Sequence, residues 1–197
     1  MTFCIHGCRV QIGFPFLALL ALLFTLDHSG IAPVGLFCAA IHECAHLAVM
    51  GAVGEAPQEM RFTAFGIDII KSAGVNRSYR HDILVSLSGP FANLMAAAIC
   101  FLIFRLRFPL FLAANLLLFA LNILPIVPLD GGQALISFFC MHVEPEKAVK
   151  IVSVVSFCVL VPLAAVGFYI LLRSRWNFTL LFVSCYLMAL LLMKKER

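Results

Sequence analysis

Two stretches of this chain, Ile83 to Phe104 and Ile151 to Leu172, run for more than twenty residues without one charged side chain. As a helix rising about 1.5 Å per residue, each is long enough to cross a hydrocarbon core of about 30 Å. The rest of the chain has the same character: 63% of its 197 residues are hydrophobic, 12% are charged, and 19 are Phe. A mean hydropathy of +1.05 lies far from that of a soluble domain, whose single core could not hide so much apolar surface.

Apolar runs divided by polar interruptions predict six spans, about 12–26, 31–53, 83–104, 108–141, 151–172 and 177–193. The first follows Arg9, as the apolar run of a signal peptide follows its basic residues, but Thr25-Leu26-Asp27-His28 lacks a small-residue cleavage site, so an uncleaved span is expected. With the amino terminus placed in the cytoplasm, ten Lys and Arg residues fall inside and four outside, Arg105, Arg107, Arg173 and Arg175. That bias puts both termini in the cytoplasm of a multi-pass cell-membrane protein. The net charge of +4 is accounted for by basic residues flanking spans and calls for no nucleic-acid partner.

Five of the eight cysteines, Cys38, Cys44, Cys100, Cys158 and Cys185, lie within apolar segments and read as reduced, buried small hydrophobes rather than a disulfide framework. Cys4, His6 and Cys8 imitate a metal site, but three potential ligands near a terminus read as chance spacing. Between spans two and three, Gln58 to Gly74 is too polar to cross a membrane. It contains two extended runs, Met60 to Phe65 and Ile67 to Lys71, around Gly66. They form either a hairpin at the inner face, with open edges for another extended segment, or a plain connecting loop. The fold expected is an all-α polytopic membrane protein with about six transmembrane helices and a small membrane-associated β-hairpin between helices 2 and 3. All of residues 1–197 would form one domain.

The fourth span is interrupted. Pro125 and Pro128 remove amide donors, and Gly131-Gly132 precede a second apolar run from Ala134. Irregular backbone at membrane depth is tolerated only where protein or a water-filled cavity satisfies its polar groups, which argues for a site near 125–130.

Residues 42–46 read His42-Glu43-Cys44-Ala45-His46. Four residues of helix turn through about 400°, so the two imidazoles share a face one turn apart, as two ligands of one zinc require. Glu43, rotated by about 100°, can reach a water activated by the metal without being a ligand. With six His and six Glu in the chain, random placement gives roughly 0.005 such motifs, and three ionisable residues in a span demand a reason. A hydrolytic zinc leaves one position open and needs a third protein ligand. Asp130, beside the proline break and two glycines, is the candidate; capping of the following helix is its other reading, and the two are compatible.

These residues, with Ser88-Gly89-Pro90-Phe91-Ala92-Asn93 and the long pattern Asn122-Ile123-Leu124-Pro125-Ile126-Val127-Pro128-Leu129-Asp130-Gly131, resemble the site-2 protease family of intramembrane zinc metalloproteases. Over about residues 10–193 the chain is most like the stage IV sporulation protein FB-like subgroup, whose best-known member processes a precursor sigma factor. The resemblance implies one zinc per chain, held by His42, His46 and Asp130, with Glu43 as general base and acid. It further implies a transmembrane or membrane-tethered protein substrate, with Asn122 near the active site helping to hold it. Gly66 and Pro128 join Asn122 as candidate substrate contacts, and inhibitory or activating membrane proteins are expected partners. Ser88-Gly89-Pro90 corresponds to a packing element without a catalytic role. After span six only Lys194-Lys195-Glu196-Arg197 remains, so neither the subgroup's carboxy-terminal regulatory domain nor a PDZ module is expected. Cys44 stands where relatives carry an apolar residue and should face away from the metal. His42, twelfth in its span, falls near mid-membrane with His46 about 6 Å nearer the inner face, which places the opening on the cytoplasmic side. Two other functions fit the same residues less fully: a catalytically silent membrane scaffold or chaperone, and a metal transporter, for which Glu43 has no evident task.

Overall fold

The computed structural model describes residues 2–5, 8–55, 57–63, 66–71, 78–174 and 177–195. Its elements in chain order are β1 (Thr2–Ile5), β2 (Cys8–Ile12), α1 (Phe14–Leu26), α2 (Ile31–Ala52), β3 (Pro57–Thr63), β4 (Gly66–Lys71), α3 (Tyr79–Phe104), α4 (Pro109–Asn122), α5 (Asp130–Cys140), α6 (Pro145–Ser174) and α7 (Thr179–Lys195). The chain gathers into two compact units, residues 1–81 with 88–119, and residues 82–87 with 120–197.

The first unit carries a sheet that is larger than the expected hairpin. Its four strands run in the order β1-β2-β3-β4, with β2 parallel to β3 and the other two pairs antiparallel. The first span therefore starts at Phe14 rather than residue 12, because Cys8–Ile12 is strand. Pairing of β2 with β3 also takes one edge of the expected hairpin, leaving β4 and β1 at the borders of the sheet. Gly66 is the first residue of β4, paired with Thr63, and not the centre of the turn, which lies outside the described residues. Within α1 no residue is buried, a helix apolar all round whose natural surroundings are lipid. The entry to α2 is fixed by Asp27, whose carboxylate accepts the Ser29 N–H at 2.9 Å and the Ala32 N–H at 2.8 Å. The hydrogen bond that it accepts from the Ser29 hydroxyl at 2.7 Å, followed by these two, lowers its pKa to about 2.

In the second unit α6 packs against both α5 and α7, and the core comprises Ile126, Val127, Val152, Leu160, Leu187 and Leu191. Two of these six belong to the proline-broken segment 123–129, so the interruption is packed inside protein. Its polar groups are met by neighbouring side chains, as buried backbone requires. The Val127 N–H donates to Ser156 Oγ at 2.9 Å, while the Ser156 hydroxyl reaches the carbonyls of Val152 at 2.7 Å and Pro125 at 3.2 Å. The Gln133 amide donates back to the Val127 carbonyl. A Cβ on Gly131 would meet the Ile123 carbonyl oxygen at 2.3 Å, and one on Gly132 the Ile126 oxygen at 2.1 Å, so only glycine admits this approach.

Among the described residues three helices are long and apolar enough to cross a membrane, α2, α3 and α6, with mean hydropathies of 1.5, 1.9 and 2.5. The other expected spans coincide with shorter apolar helices, Phe14–Leu26, Pro109–Asn122 and Thr179–Met193. Large side chains such as Leu102, Ile103 and Leu172 stand more than half exposed, a surface suited to acyl chains. Cys4, Cys38, Cys44, Cys100, Cys140, Cys158 and Cys185 are all free thiols. The expectation of burial holds for Cys38 and Cys100 and fails for Cys44, Cys158 and Cys185, which are exposed. Their helices bury only part of their circumference, and a thiol is apolar enough for the remainder. His6 of the amino-terminal Cys-His-Cys group lies outside the described residues.

Candidate metal centre

The buried residues of α2 are Cys38, His42, His46 and Met50. A step of four residues makes them one continuous stripe, and Cys44, about half a turn from His42, lies on the exposed side of the helix, away from the two histidines as expected. Both histidines are 7% exposed. Their rings meet edge to face with centroids 4.7 Å apart, and their Nε2 atoms face each other at 3.1 Å. The opposite ring nitrogens are engaged by α3: His42 Nδ1 lies 2.9 Å from Asn93 Oδ1, and His46 Nδ1 lies 3.2 Å from Ser88 Oγ. Between these two contacts comes Gly89. A Cβ there would lie 2.4 Å from His46 Nε2 and 2.7 Å from His42 Nε2, so any side chain would occupy the space beside both nitrogens.

Asp130 opens α5. Leu129 is the N-cap and makes no side-chain cap hydrogen bond, so Asp130 sits one position too late to be the capping residue itself and lies in the first turn, where a carboxylate is favoured by the helix dipole. His42, His46 and Asp130 form a group that could hold a metal ion, with one ligand atom from each lying within 4.8 Å of the others. The donor set fits zinc on two observations. Two imidazoles and a carboxylate are the three-ligand type of hydrolytic zinc sites. Two nitrogens bound tetrahedrally at about 2.05 Å would stand about 3.3 Å apart, close to the 3.1 Å found. Glu43, the next residue on α2, is partly buried.

The remaining candidates take varied places. Asn122 is the last residue of α4, Pro128 lies in the packed break between α4 and α5, and Gly66 begins β4 at the sheet border. The element undervalued by sequence reasoning is Ser88-Gly89-Pro90-Phe91-Ala92-Asn93. Read as a packing segment, it supplies both histidine contacts and the vacant space beside them. A polar Ser and Asn five apart around a Gly in an otherwise apolar span was the available signal.

The chain is thus an apolar helical protein with a small sheet, two histidines on one face of α2 and an aspartate at the start of α5. The structure is similar to that of the Site-2 Protease from Methanocaldococcus jannaschii, with a TM-score of 0.65 over 95% of this chain and 91% of that one, at 19% identity. Residues 106–163 match Peptidase family M50. Over 152 residues the chain is 31% identical to Stage IV sporulation protein FB of Bacillus subtilis (strain 168), covering 73% of this chain and 52% of that protein. It thus spans about half the length of the curated relative it matches. In sequence and fold the chain is thus similar to peptidase family M50 and to the site-2 proteases.

Proposed function

We propose that the chain is a zinc-dependent intramembrane endopeptidase that cleaves a transmembrane or membrane-tethered protein. The observation that carries this reading is the grouping of His42, His46 and Asp130 within 4.8 Å, with Glu43 adjacent in sequence to the first of them. A zinc ion held by these three residues supplies Lewis acidity, polarising a carbonyl oxygen and making water more acidic. Glu43 accepts a proton from the attacking water and returns it to the leaving amine. The broken span offers a packed, irregular backbone beside which a substrate helix can be unwound, and unwinding must come first because helical amides are already hydrogen-bonded. Asn122, at the end of α4 before the break, Pro128, within it, and Gly66, at the border strand, are the proposed substrate contacts.

In this reading residues 1–197 form one protease domain with six spans, the shorter helices α1, α4 and α7 included, and both termini and the site's opening face the cytoplasm. A precursor sigma factor is a candidate substrate, on the name of the sporulation relative and the likeness to its subgroup. The test is co-expression of wild type or Glu43→Gln with membrane-tethered candidates, this precursor among them, followed by blotting for a shortened product. A product formed by wild type alone supports the reading. Equal products from both variants would remove Glu43 from the chemistry.

A further inference from the structure

We propose that Asn93 is a positioning residue for the metal centre: its amide, held by Asn115 and the Cys38 carbonyl, sets the tautomer of His42 so that Nε2 carries the lone pair that would bind zinc. The inference rests on the zinc reading of His42, His46 and Asp130. Asn93 is fully buried on α3, at 0% exposure. Its Nδ2 faces two acceptors, Asn115 Oδ1 at 3.0 Å and the Cys38 carbonyl at 3.4 Å. The backbone carbonyl can only accept, so this end of the side chain must be the NH2 group and the other end the oxygen.

Asn115 is orientated in the same way. Also at 0% exposure, it donates from Nδ2 to the Phe111 carbonyl at 2.9 Å and to Cys38 Sγ at 3.1 Å, which leaves its oxygen to receive Asn93. The chain of donors therefore has one direction, starting from backbone carbonyls that cannot reverse. At its end Asn93 Oδ1, an acceptor, lies 2.9 Å from His42 Nδ1. His42 must place its proton on Nδ1 to satisfy that oxygen, and the neutral ring then presents a bare Nε2. This nitrogen is the one 3.1 Å from His46 Nε2. Metal-bound histidines generally donate their other ring N–H to such a partner, and removing it typically lowers metal affinity about 10–100-fold. The partner of His46 is a hydroxyl, Ser88 Oγ, which can either donate or accept.

The test is zinc affinity of the purified full chain by chelator competition, with Co2+ substitution and its visible spectrum as a second readout. Asn93→Leu, which removes the acceptor, should bind zinc at least tenfold more weakly and change the Co2+ spectrum. Asn93→Asp, which keeps an acceptor against His42 Nδ1, should hold affinity within about threefold of wild type. Should Asn93→Leu fail to fold, Asn115→Val decides, because it removes the nearer of the two acceptors that orient the Asn93 amide without altering Asn93 itself; a loss of several-fold is expected. Unchanged affinity in whichever of these two variants folds, or an equal loss in Asn93→Asp and Asn93→Leu, overturns the proposal. A wild-type protein that binds no zinc would instead overturn the zinc reading beneath it.

Discussion

At the scale of single residues, the metal centre depends as much on what is missing as on what is present. With a Cβ at Gly89 placed 2.4 Å from His46 Nε2, Gly89→Ala should displace an imidazole and cut zinc occupancy more than tenfold. Overpacking of this kind costs about 1–3 kcal/mol, so the helical content seen by circular dichroism should survive. Retention of one zinc by Gly89→Ala would show that the rings can yield. Asp27 gives a pH dependence outside the spans. Its pKa is lowered from 3.8 to about 2 by the bonds that fix the start of α2. The carboxylate therefore contributes stability above about pH 4, and this is lost as pH falls towards 2. Thermal unfolding of Asp27→Asn should differ from wild type at pH 5 and converge with it near pH 2; a constant difference would contradict the assignment. The grouping of His42, His46 and Asp130 was legible in the sequence because a fixed helical spacing and a long proline-rich pattern carry these residues. Asn93 was not, since its partner lies 51 positions away, and no local pattern encodes such a contact.

At the scale of elements, the broken span is the feature that sequence and structure describe most alike. Pro125, Pro128 and the glycine pair announced it, and the structure adds how its backbone is satisfied. Ser156→Ala would leave the buried Val127 N–H without its partner at 2.9 Å, at a cost of about 1–3 kcal/mol. A lower unfolding midpoint in detergent is expected, and an unchanged midpoint would mean that another acceptor replaces the hydroxyl. Gly132→Ala should be more damaging, because a Cβ 2.1 Å from a carbonyl oxygen has no flexible neighbour to give way. The amino-terminal strands were missed for a physical reason. Residues 2–12 carry alternation too short to separate from the entry to an apolar helix, and β2 is recruited by β3, some fifty residues on. Of the two readings open for the segment between α2 and α3, the structure has the paired strands β3 and β4, as part of a larger sheet and with Gly66 inside β4.

At the scale of the whole molecule, composition alone identified the bilayer as the solvent, and the exposed apolar side chains agree. What composition could not give is the length of each helix: α1 has 13 residues and α4 has 14, short of a typical span of about 20. They are proposed to cross where protein or a thinned bilayer shortens the path. Fusion of a cytoplasm-active reporter after α7 should give signal if six crossings return the chain to the side on which it began, and silence there would contradict the orientation. The central claim is that three side chains bring a zinc ion to Glu43. It is tested most directly by the zinc content of purified wild type beside His46→Ala and Glu43→Gln. About one zinc per chain is expected in wild type and in Glu43→Gln, with most of it lost in His46→Ala. A wild type without zinc, or a His46→Ala variant that keeps its full complement, would contradict it.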